Sequence, residues 1–90
     1  MNNFDNIKFI ENIIKSINIS SNNYKFVSAC YALLNQLAMY DIILKYESNK
    51  QKYEIAEYNF KDKYIDLIYF ISLLNVDEKI IEKIKNLILI

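Results

Sequence analysis

Carboxylates, lysines, tyrosines and one thiol are the side chains of this chain that could do chemistry; histidine and arginine are absent. Histidine is the usual proton-transfer partner of a serine or cysteine nucleophile, so triads and dyads built on it are excluded. A carboxylate base would need a cleft, which a few short helices seldom build. Asp62 with Asp66, and Glu54 with Glu57, have the spacings that set two carboxylates on one helix face, the beginnings of a Mg²⁺ site. Solvated helix faces carry such pairs routinely, and neither spacing is diagnostic. Cys30 has no second cysteine or histidine with which to hold zinc, and its apolar neighbours read as core. The chain is therefore expected to bind no metal and no cofactor, and not to be an enzyme.

Lys50, Lys52, Tyr53, Tyr58, Lys61, Lys63 and Tyr64 interleave cations with rings, the ingredients of a base-stacking surface. The same stretch carries Glu54, Glu57 and Asp62, which repel phosphate, and Glu57 can pair with Lys61 one turn on. Glycine-rich phosphate cradles and the strand–turn–helix elbow both need glycine, and there is none. Eleven lysines balance eleven acids. Up to Lys45 four lysines face three acids, +1, and beyond it seven face eight, −1. No electrostatic footprint for nucleic acid or an anionic membrane stands out, so nucleic acid is the less favoured partner and a membrane is not expected.

Tyrosine is the informative excess, with eight in 90 residues. It offers a large rigid contact with one polar tip and is enriched at protein interfaces. Tyr40, Tyr53 and Tyr64 fall on apolar stripes. Tyr24, Tyr46, Tyr58 and Tyr69 fall outside them and, with Lys61 and Asp62 one turn beyond Tyr58, are the candidate partner-binding residues. Codons of a low-GC genome, which also favour the 17 Ile and 12 Asn, explain part of the tyrosine count.

These residues must be positioned by helices. Average usage of about 7% Gly and 5% Pro would supply roughly eleven turn-formers here, and a β-rich fold would struggle without any. A first amphipathic helix, capped by Asn3 or Asp5 and running to about Asn18, carries Ile7, Ile10, Ile13, Ile14 and Ile17 at spacings of three and four. A second is expected over residues 22–46, after the loop Ser20, Ser21, Asn22, Asn23. Its heptad seam is Phe26, Cys30, Leu33, Leu37, Tyr40 and Leu44. Val27, Tyr31, Leu34, Ala38 and Ile42 form a second stripe, leaving Ser28, Asn35, Gln36 and Asp41 as a polar strip. A third helix over residues 50–74 would bury Tyr53, Ala56, Phe60, Tyr64, Leu67, Ile71 and Leu74. The rough alternation of Tyr53, Ile55, Tyr58 and Phe60 makes a strand over residues 53–60 the competing reading, with no partner strand in view. A fourth helix, capped by Asp77 or Asn75, turns Ile80, Ile81, Ile84, Leu87 and Ile88 inward. Residues 87–90 are apolar all round and are expected to dock on the second helix or on another subunit.

The fold class that follows is all-α: a small antiparallel bundle of about four helices, two long and central, two shorter and flanking, forming one domain over residues 1–90. At 53% apolar, the chain has more hydrophobic material than a lone domain of this size readily hides, so a homo-oligomer or a dedicated partner is expected. A single cysteine and no signal-peptide pattern at the N-terminus suit a reducing cytoplasm. The longest apolar stretch, residues 26–44, is interrupted by Asn35, Gln36 and Asp41, which argues against a membrane span. The function expected is recognition: a protein-binding module, by analogy of size and composition with phage inhibitors of host antiviral defence and with immunity proteins. A small oligomeric regulator or sponge binding nucleotides or RNA, and a structural subunit of a larger assembly, are the alternatives.

Overall fold

The computed structural model describes residues 3–87, and every regular element among them is an α-helix. They are α1 (Asn3–Lys15), α2 (Tyr24–Tyr46), α3 (Lys50–Ser72) and α4 (Glu78–Lys85). Residues 53–60 are helical, so the strand reading falls. Residues 88–90, to which Ile88 and most of the apolar tail belong, lie outside the described residues.

The helix ends follow from local polar chemistry. α1 stops at Lys15 rather than near Asn18, because Ser16 Oγ donates to the Ile13 carbonyl and the next amides tighten to i−3 acceptors. The loop is held by Asn23, whose Oδ1 accepts from the Ser20 amide and whose Nδ2 donates to the Asn18 carbonyl. That side chain is spent on the loop, so α2 starts at Tyr24 without a side-chain cap. Asn49 caps α3 by accepting from the Lys52 amide at 3.0 Å, and Asp77 caps α4 by accepting from the Lys79 amide at 2.9 Å. Asn75, the other candidate cap, instead takes φ 59°, the left-handed turn that glycine would ordinarily supply.

α2 and α3 form an antiparallel hairpin. Phe26 near the start of α2 lies 6.3 Å from Phe70 near the end of α3, and at the other end Tyr40 and Ile43 border a groove with Ile55 and Ala56. α1 runs back along α2, bringing the Phe4 ring under Lys45 Nζ at 5.6 Å. α4 returns along α3 and meets α1 where Lys83 Nζ sits 5.0 Å above Phe9. Asn6 of α1 is buried and donates Nδ2 to the Leu87 carbonyl at 2.6 Å, tying the end of α4 to α1. One core cluster unites isoleucines of α1, Cys30, Leu33, Leu34 and Leu37 of α2, Phe60, Tyr64, Leu67 and Ile71 of α3, and Ile84 of α4. Each Ile, Leu or Phe side chain among them contributes about 1.5–3 kcal/mol by leaving water.

Three placements differ from the spacing argument. Asp41, expected on a polar strip, is 3% exposed and pairs with Lys45 at 3.3 Å, so its charge is answered from its own helix. Ile42, expected on the second buried stripe, is 58% exposed. At 100° per residue it lies about 140° round the helix from Leu37, whereas Val27 and Leu34 lie within about 80°. Tyr53, expected on the buried stripe of α3, is 37% exposed because it occupies the first turn, beyond Ala56, the first buried residue of that helix.

Candidate interaction surface

α3 carries two opposed stripes. Ala56, Phe60, Tyr64, Leu67 and Ile71 face the core. Ile55, Tyr58, Asp62, Ile65 and Tyr69 follow one another at three, four, three and four residues on the opposite side, about 180° away. Ile55, Ile65 and Tyr69 are more than half exposed, and Tyr58 is 71% exposed. This is the spacing with which one helix packs on another, here pointing to solvent with a carboxylate at its centre. α2 has a matching outer row, Ser28, Ala32, Asn35, Met39, Ile42 and Tyr46, apolar toward its C-terminal end.

All six residues singled out from the sequence are exposed, but they do not form one patch. Tyr24 and Tyr46 stand at opposite ends of α2, roughly 33 Å apart at 1.5 Å per residue. Tyr46 (80% exposed) lies at the α2–α3 turn, the end that also holds Tyr58. Tyr24 lies at the other end with Tyr69, whose ring meets Phe70 edge-on at 5.6 Å. Tyr58, Lys61 and Asp62 share adjoining positions on α3. The Glu57–Lys61 pair that the spacing allows is not formed among the described residues; Lys63 reaches Asp62 at 3.9 Å. An exposed i,i+4 pair is worth only about 0.3–0.5 kcal/mol, little more than the side-chain entropy it costs. Ile55 and Ile65 were not among the candidates, although continuing the three–four count from Tyr58 and Tyr69 reaches both.

Elsewhere several polar groups are engaged within the fold, while the buried Oδ1 of Asn6 has no hydrogen-bond partner among the described residues. Burial pushes the Cys30 thiol up to about 11, leaving little thiolate near neutrality. Burial also pushes the Tyr64 phenol up to about 12, and its hydroxyl donates to the Ile84 carbonyl. Glu11 accepts from Lys15 at 2.9 Å, and that hydrogen bond, with the charges of Lys15 and Lys8, holds its carboxyl below the usual range. An open hollow of 460 Å³ lies between the α1–α2 and α3–α4 loops. Its Asn23 and Asp77 are both consumed by the loop and cap hydrogen bonds. Among the described residues no three His, Cys, Asp or Glu side chains stand close enough together to hold a metal ion. α2 is long and apolar enough to cross a membrane by length and composition, while a third of its most apolar window is buried in the fold.

No protein-family model matches the chain, and no significant match is found among curated proteins or solved structures. The chemistry of the surface is therefore what bears on function.

Proposed function

We propose that the protein is a non-enzymatic protein-binding module that acts by covering a surface of its target. The observation that carries this reading is the outer row of α3. Ile55, Tyr58, Ile65 and Tyr69 hold helix-packing spacing around Asp62, and all are largely exposed. Exposed apolar rows on a small protein mark interaction sites, and tyrosine is the residue type enriched among those that dominate binding. Inhibition of a defence protein, or immunity against a toxin, is the concrete form of this function, since blocking by contact needs a face of this kind and no active site. A nucleic-acid target fits less well, because Asp62 occupies the centre of the row and Glu54 and Glu57 accompany its lysines.

The test is affinity capture in the native host, with the intact chain and its Tyr58→Ala, Lys61→Ala, Asp62→Ala and Tyr69→Ala variants as baits. At least one variant is expected to lose a protein that the intact chain retains, by about thirtyfold or more in affinity for a central interface aromatic. Identical captures by all baits, with unchanged circular dichroism, would sink the reading.

A further inference from the structure

We propose that two copies of this chain pair through the outer side of the α2/α3 hairpin, about a twofold axis parallel to the helices, so that α2 of each copy packs on α3 of the other. The pairing shares Ile55 with the row proposed for target binding, whereas Tyr58, Ile65 and Tyr69 lie further round α3.

The centre of the surface is the groove of 250 Å³ near the α2–α3 turn. Tyr40 and Ile43 of α2 and Ile55 and Ala56 of α3 line it. Met39 and Tyr46, one turn either side of Ile43, are exposed beside it. The groove has two charges of opposite sign, Glu47 just past the end of α2 and Lys52 in the first turn of α3. An isologous contact places the same patch against itself. With the axis running along the groove, α2 meets α3 of the other copy, and Glu47 arrives on Lys52 twice over. A chain with zero net charge adds no long-range repulsion.

The direction of the axis follows from register. Phe26 is level with Phe70, and Tyr40 with Ala56. Asn35 and Gln36 are accordingly level with Lys61 and Phe60, in the turn that also holds Asn59 and Asp62, while Met39 and Ile43 are level with the turns around Ile55. A parallel axis keeps these levels together, apolar on apolar and polar on polar. An axis across the helices would set the apolar turn end against the opposite end of the hairpin and separate Glu47 from Lys52. The size is also suitable. Two 23-residue helices are each about 34 Å long and together about 20 Å across. They offer roughly 700 Å² of face, close to the ~800 Å² per partner of a stable interface.

Sedimentation equilibrium on the full chain should give twice the 10.8 kDa chain mass at micromolar concentration. Glu47→Lys and Lys52→Glu should each weaken the dimer by about tenfold or more. Their equimolar mixture should recover it as a heterodimer, visible by native mass spectrometry, because both cross-pairs are then attractive. Ile55→Asp should also dissociate the dimer, with unchanged circular dichroism, and without disturbing the Glu47 Oε1 contact to the Asn49 amide. A wild-type monomer at about 100 μM overturns the proposal. So does a mixture that stays dissociated, or a dimer that resists all three substitutions and yields only to deletion of residues 88–90. Tyr58→Ala should leave the dimer intact, which separates this result from any failure of target binding.

Discussion

Tyr64 donates its phenolic proton to the carbonyl of Ile84 in the last turn of α4, and both residues are buried. The same carbonyl also accepts from the Leu87 amide at 3.1 Å. Tyr64→Phe therefore removes one hydrogen bond without orphaning its acceptor, and a loss of about 1 kcal/mol is expected in urea unfolding. Tyr64→Ala adds a cavity and should cost about 3–5 kcal/mol. Burial raises Tyr64 from 10.0 to about 12 and Cys30 from 9.0 to about 11. The unfolded chain thus loses these protons first, so the stabilisation is full below pH 9 and is lost as pH rises through the folded values. The urea midpoint should fall between pH 9 and pH 12, and Cys30→Ala should remove the part of that fall which begins near pH 9. A midpoint that does not move over this range would contradict the burial of both groups. Native Cys30 should react with a thiol reagent only as fast as the protein unfolds.

Helix α4 has eight residues, too few to persist alone in water. It is held by its Asp77 cap, by Glu78 in the first turn and Lys83 and Lys85 in the last, and by Ile84 in the core. Asp77→Ala should cost about 1 kcal/mol, read as a lower melting temperature. At Asn75 the φ of 59° penalises a β-carbon, so Asn75→Ala should destabilise by about 1 kcal/mol while Asn75→Gly stays near neutral. Equal effects from the two substitutions would deny the left-handed turn. On α2 and α3 the difficulty is a surplus of apolar faces. Spacing in α3 identified the inner row from Ala56 to Ile71, but Ile55 and Ile65 fit the opposite row equally well. A periodic row states which residues share a face, not whether a neighbour covers it.

The assembled chain measures 43 × 23 × 17 Å, two long helices flanked on one side by two short ones. α1 and α4 cover the inner side of the hairpin, and its outer side carries both surfaces proposed for contact. Helical content, the cap at Asp77 and most of the core were legible because they depend on residues within one or two turns of one another. Hydrophobic period and cap side chains act at that range. The exposure of Tyr24, Tyr46, Tyr58 and Tyr69 was legible for the same reason, since each falls off its helix's inner row. The burial of Asp41, the exposure of Tyr53 and the tie from Asn6 to Leu87 were not legible. Each depends on which helix end lies over which neighbour, a relation between residues up to 81 positions apart. Local spacing thus accounts for the helices and their inner faces. Packing in three dimensions selected which remaining faces were covered, because a short flanking helix can shield only one side of the long helix beneath it.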